Sequence, residues 1–122
     1  KPSNIWLESG TGRVKLLDFG LALARDNSNL TFSGYVIGTP AFMSPEQARG
    51  EAVDHRADLF SLGSVLYTMC TGTPPFQAGN PMAVLKCVCE VTPPSICAVN
   101  PAMTTGLAAV GQKLMAKDPG ER

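Results

Sequence analysis

A mainly α-helical domain opened by a small β-hairpin is the fold this 122-residue sequence predicts, and three patterns predict it. Two short apolar runs near the start flank a Ser-Gly-Thr-Gly turn. A stretch from about residue 55 to residue 71 has helical length and apolar residues on every side. Behind it come two more stretches of helical pattern, one opened by Asn80-Pro81 and one amphipathic.

The hairpin joins Ile5-Trp6-Leu7 to Val14-Lys15-Leu16-Leu17, with Ser9-Gly10-Thr11-Gly12 as turn chemistry between them. The stretch from Arg25 to Gly38 is rich in Asp, Asn, Ser and Gly, lacks helical periodicity and reads as a long loop. Loops of that length in a small domain are usually functional or mobile. Ser44-Pro45-Glu46 marks a helix start, with Ser as N-cap and Pro at the first helical position. Asp54 is placed to cap the next helix, from about His55 to Thr71, which Gly72 stops. Ala57, Leu59, Phe60, Leu62, Val65, Leu66 and Met69 surround that helix. A helix with no polar face must be wrapped by other elements, so it reads as the centre of the domain. Pro74-Pro75-Phe76 interrupts the chain, and Asn80-Pro81 opens a helix through Met82, Val84, Leu85 and Val88. Pro93-Pro94 closes that region, and a last amphipathic helix covers about Thr104 to Ala116, ahead of Asp118-Pro119.

Ten basic residues balance ten acidic ones, so no charge excess calls for nucleic acid or an anionic membrane as a partner. No apolar run approaches the ~20 residues of a membrane-spanning helix. Cys87 and Cys89 form a C-x-C pair, but a structural zinc site takes four ligands, and the single histidine, His55, lies in another segment. With Cys70 and Cys97 they read as small apolar residues of a reducing compartment.

Several short motifs then appear in order: Lys1-Pro2-Ser3-Asn4, Asp18-Phe19-Gly20, Gly38-Thr39-Pro40 leading to Ser44-Pro45-Glu46, Asp58-Leu59-Phe60-Ser61-Leu62-Gly63, and Lys117-Asp118-Pro119-Gly120-Glu121-Arg122. Across its whole length the chain resembles the protein kinase superfamily, most closely the bacterial serine/threonine kinases of eukaryotic type. A lone D-F-G is weak evidence, whereas the ordered series is not a chance product. The resemblance implies an α+β parent fold, of which residues 1–122 would be the helical C-lobe with a β-hairpin at its start. It also implies Mg-ATP as the phosphate donor and Ser/Thr hydroxyls of proteins as acceptors.

By that resemblance Asn4 and Asp18 would bind Mg²⁺, a hard cation that favours an amide oxygen and a carboxylate. Taken alone, each is equally an Asx-type turn residue. Lys1 matches the lysine that steadies the transferring phosphate as a point charge, and Thr39 the hydroxyl that orients the catalytic groups. Without their neighbours they are a solvated lysine and a turn residue. Trp6 and Leu17 fall where the family borders the adenine, although an ordinary core tryptophan fits Trp6 nearly as well. Val65 and Met69 fall beneath that floor. Phe19 is implied as structural support beside Asp18. Glu46 and Arg122 match a supporting ion pair. Asp58 matches a support for the catalytic-loop backbone, although the helix dipole alone also favours an acid there. Thr31 and Ser33 stand eight and six residues before Thr39, where similar kinases are autophosphorylated.

Ser44 replaces a commoner alanine and Phe60 a frequent tryptophan. The sequence holds no glycine-rich loop, no V-A-I-K-type lysine with its partner glutamate and no H-R-D aspartate, so the chain reads as a partial kinase domain that lacks its N-lobe. On that reading it is inactive alone and exposes apolar surface where the other lobe would pack. The retained Lys1, Asn4, Asp18 and Thr39 favour an enzyme over a pseudokinase scaffold. A standalone binding module finds no support in these residues. Family habit implies a cytoplasmic kinase domain, in a parent sometimes tethered to a membrane elsewhere.

Overall fold

In the computed structural model, residues 1–17 and 38–122 are described in full, and positions 31–32 and 35–36 by their backbone. A 3₁₀ turn, Pro2–Asn4, leads into β1 (Ile5–Leu7), which pairs antiparallel with β2 (Val14–Leu16). The register sets Ile5 against Leu16, Trp6 against Lys15 and Leu7 against Val14. Gly10 and Gly12, at φ 87° and 66°, turn the chain between them, a conformation open to glycine and costly to most other residues. Glu8 holds the turn through Thr11 Oγ1 at 2.6 Å and Lys15 Nζ.

The segment expected to be one long loop contains a second small ladder, β3 (Thr31–Phe32) against β4 (Tyr35–Val36). Each strand has two residues, too few for alternation to show in a sequence. A 3₁₀ turn at Pro40–Phe42 follows, and α1 (Pro45–Arg49) begins at Ser44. Ser44 and Gln47 form a reciprocal capping box: the Ser44 N–H donates to Gln47 Oε1 at 3.0 Å, and the Gln47 N–H donates to Ser44 Oγ at 3.3 Å. Gly50, at φ 69°, ends the helix.

The central helix, α2 (Arg56–Thr71), starts one residue later than the pattern suggested. His55 occupies the cap position without a side-chain bond, while the carboxylate of Asp54 accepts the Arg56 N–H at 2.8 Å. Gly72, at φ 78°, terminates it. α3 (Pro81–Glu90) is capped by Asn80, whose Oδ1 accepts the Ala83 N–H at 2.9 Å. A one-turn helix, α4 (Ile96–Val99), was not foreseen. It follows Pro93-Pro94, and four residues are too few for a 3.6-residue period to register. α5 (Thr105–Leu114), capped by Thr104, stops two residues short of the expected Ala116, and Met115 at its end is buried.

The core gathers Phe60 and Tyr67 of α2 with Phe76, Val88, Ile96, Ala108 and Met115. Phe60 and Phe76 stack with centroids 5.9 Å apart. α2 packs against α5, α4 and the Pro40–Phe42 turn, which makes it the centre of the helical part. It is not wrapped on every side, however: Leu62 is 53% and Met69 76% exposed. These residues lie seven apart on one face of the helix, and no described element covers that face. The hairpin also leaves Trp6, Leu7, Val14 and Leu16 exposed.

Candidate active site

The hairpin positions the first group of candidate residues. Beyond the last strand pair, the Leu17 N–H donates to the Asn4 C=O at 2.7 Å. The antiparallel pairing therefore runs one residue past β1 and β2, and Leu17 is held beside Asn4 where the chain leaves β2. Asn4 is fixed from its other side by its own N–H, which donates to the Lys1 C=O at 3.0 Å. Lys1 and Trp6 are exposed, and Leu17 is 47% exposed. Strand alternation puts Trp6 on the same face as Lys15, opposite the face shared by Ile5, Leu7, Val14 and Leu16. Val65 is buried and Met69 is not. Asp18, Phe19 and Ser33 lie outside the described residues, and Thr31 is described only as a backbone position in β3.

Thr39 stands exposed immediately before the Pro40–Phe42 turn, and its C=O accepts the Phe42 N–H at 3.0 Å. Gly38 before it adopts φ 111°, a backbone region that favours glycine, and a Cβ there would also have to displace the flexible tip of Met43, whose Cε would lie 2.6 Å away. The turn is tied to α2 by Ser61, whose hydroxyl donates to the Phe42 C=O at 2.7 Å. Ser61 was visible only as one letter of a motif; this bond gives it a part in holding the Thr39 segment. Asp58 is exposed in the first turn of α2.

Glu46 and Arg122, 76 residues apart, form a buried bidentate ion pair. Arg122 Nη1 donates to Glu46 Oε1 at 2.6 Å and Nη2 donates to Oε2 at 2.9 Å. The remaining guanidinium hydrogens go to the C=O groups of Ala116, Arg56 and Lys117. All five donors are thus used, which is the condition for a buried arginine to be tolerated. The guanidinium also lies 5.0 Å from the Phe60 ring centroid. Burial alone would raise the Glu46 carboxyl, but the hydrogen bonds and charge of Arg122, with help from its own backbone and Ser44, hold it below the usual carboxylate range. This cluster ties α1, which follows the Thr39 turn, to the start of α2 and to the Ala116–Arg122 stretch.

Lys117 is the second unusual cation. Its Nζ donates to the Val88 C=O at 2.6 Å and sits 4.2 Å from the Phe76 ring centroid. Burial lowers its pKa from 10.5 to about 8, aided by Arg122 and Arg49 and opposed by Cys89 and Cys87. Sequence reasoning assigned it no role, because nothing local distinguishes it from a solvated lysine.

Comparison with known proteins matches residues 1–122 to the protein kinase domain. The chain belongs to that family. A probable serine/threonine-protein kinase of Corynebacterium efficiens is 44% identical over 128 aligned residues. The serine/threonine-protein kinase PknB of Mycobacterium tuberculosis is 42% identical over 124 residues. A probable PknB of Bifidobacterium longum is 48% identical over 126 residues. Each alignment takes in the whole of this chain but only 19%, 20% and 18% of the respective relative, so the kinase-domain chain spans about a fifth of their length. The helical body with its antiparallel hairpin agrees with the C-lobe part of a kinase domain.

Proposed function

We propose that the protein carrying this chain is a serine/threonine protein kinase that transfers the γ-phosphate of ATP to Ser or Thr hydroxyls of other proteins. The observation that carries this reading is the Leu17 N–H to Asn4 C=O bond. It holds the K-P-S-N segment beside the strand end that continues directly into D-F-G. An amide oxygen from Asn4 and the carboxylate of Asp18, the residue after Leu17 in the sequence, would make a hard donor set suited to Mg²⁺. Bound Mg²⁺ would offset the charge of the polyphosphate. Lys1, exposed at the same end of the hairpin, would add a positive charge there. Trp6 and Leu17 offer apolar surface for a base, and Thr39 is presented on a turn anchored by Ser61. The Glu46–Arg122 pair braces that turn's continuation and, among the described residues, contacts none of Lys1, Asn4 and Thr39.

Residues 1–122 by themselves lack the glycine-rich loop, the V-A-I-K-type lysine and the H-R-D aspartate, and are read as an inactive partial domain of a cytoplasmic kinase region. Thr31 and Ser33 are proposed as autophosphorylation sites, where added phosphate would order the segment against basic groups.

The test is a transfer assay on the full-length protein with Mg-ATP and a generic Ser/Thr substrate. Asp18→Ala and Asn4→Ala are expected to lower transfer by at least ~100-fold while leaving the fold intact, the order of loss seen when transition-state charge stabilisation is removed. A folded full-length protein that transfers nothing, before or after phosphorylation of its loop, would overturn the reading in favour of a binding scaffold.

A further inference from the structure

Between the second half of α2, the Pro93-Pro94 approach to α4, and α5 lies a cleft of about 590 Å³. None of the residues assigned above to phosphate transfer lines it. Its size is within the ~300–1,000 Å³ of small-molecule sites. Tyr67, Ile96 and Met115 form buried parts of its lining. Tyr67 is only 3% exposed, yet its hydroxyl makes no hydrogen bond to any described residue. Burial alone acts on the phenol, raising its pKa above the usual tyrosine range. Buried tyrosine hydroxyls ordinarily find a partner. Among the described residues, the one fully enclosed side-chain atom without a partner is Ser64 Oγ, so the Tyr67 oxygen keeps access to the cleft it lines.

The charges around the cleft narrow the class of ligand. Of the charged groups in the lining, Lys117 Nζ is already engaged by the Val88 C=O and the Phe76 ring, which leaves Lys113 as the cation open to a ligand, with Glu121 as the one opposing charge. Lys113 is exposed in the last turn of α5 and makes no ion pair among the described residues. The pyrrolidine faces of Pro93 and Pro94 and the thioether of Met115 are flat or polarisable surfaces of the kind that accept an aromatic ring.

We propose that this cleft binds a small aromatic monoanion, an aryl carboxylate. Its ring lies against Pro93, Pro94 and Met115, and its carboxylate accepts the Tyr67 hydroxyl hydrogen bond in the field of Lys113. Occupancy would join α2, α4 and α5 at a point outside the phosphate-transfer residues.

The experiment titrates 2-naphthoate into the full-length protein carrying ¹³C-methyl-labelled Ile and Met. Saturable shifts at the Ile96 and Met115 methyls are expected. Tyr67→Phe, which removes a hydroxyl with no partner among the described residues, should weaken binding by roughly three- to tenfold. Lys113→Gln should weaken it by roughly two- to fivefold, and Ala109→Trp, at an exposed lining position, should abolish it. Octanoate, with the same charge and no ring, should bind several-fold more weakly. The proposal is overturned by the absence of saturable shifts, by an affinity unchanged in Tyr67→Phe, by octanoate binding equally well, or by shifts confined to the exposed Met69 and Met82.

Discussion

Arg122 shows how much one side chain can hold when its surroundings are complete. Its guanidinium is fully buried, and its five donors meet two carboxylate oxygens and three backbone carbonyls. Arg122→Leu would leave the Glu46 carboxylate enclosed without its partner, a loss on the order of 3–5 kcal/mol. The double variant Glu46→Leu with Arg122→Met should lose less than Arg122→Leu alone, because no unpaired charge remains; urea unfolding of all three proteins checks the order. Lys117 behaves in the opposite sense, since its folded pKa of about 8 lies below its ordinary 10.5. Below pH 8 both folded and unfolded chains carry the proton, and the fold bears the whole penalty of burying the ammonium. Between pH 8 and 10.5 the unfolded chain binds more protons, so stability from this group rises with pH and then levels off. Thermal melts at pH 7.5 and pH 10 should therefore show a smaller stability gap between Lys117→Met and the native protein at one pH than at the other: relative to the variant, the native chain gains on going to pH 10.

The helices were legible where local chemistry marks their ends. Ser44 with Pro45, Asn80 with Pro81, Thr104 and Gly72 all act at caps, because capping depends on residues a turn apart. The β3–β4 ladder and α4 were not legible, since two-residue strands and a four-residue helix are shorter than the periods that would reveal them. Where α2 crosses α5, packing rather than pattern sets the requirement. A Cβ on Gly63 would lie 2.8 Å from both Leu114 Cβ and Met115 Cγ, so Gly63→Ala must push the helices apart or distort them. An overpacking cost of about 1–3 kcal/mol is expected. Gly106, in the first turn of α5, has nothing within 4 Å of its would-be Cβ, and Gly106→Ala should instead stabilise by roughly 0.5–1 kcal/mol. Opposite signs for two Gly→Ala changes, read from denaturation midpoints, would confirm that the crossing selects glycine at one site and merely tolerates it at the other.

Across the whole molecule, apolar patterning told which residues could be buried but not which neighbours exist to bury them. That is why Leu62 and Met69 read as core and stand exposed. The pairing of Glu46 with Arg122 was legible only through family resemblance, since nothing local links residues 76 apart, and the cleft at Tyr67 left no sequence trace at all. The same distinction bears on how stability is distributed. The helical part closes around Phe60, Tyr67, Phe76, Val88, Ile96 and Met115. The β1–β2 hairpin, by contrast, keeps Trp6, Leu7, Val14 and Leu16 in solvent, and no helix packs extensively on it among the described residues. A two-stranded hairpin without a covered apolar face is marginal in water, so its ladder should open far more readily than the core helix. In a chain of residues 1–122, the amides of Ile5–Leu7 and Val14–Leu16 should exchange with solvent at least ~100-fold faster than those of Phe60–Tyr67, which corresponds to an opening cheaper by about 2.7 kcal/mol. Adding whatever surface covers Trp6 and Leu16 in the intact protein should narrow that gap. Equal protection of hairpin and helix in residues 1–122 alone would mean that the hairpin draws its stability from contacts other than the ladder and the exposed apolar face.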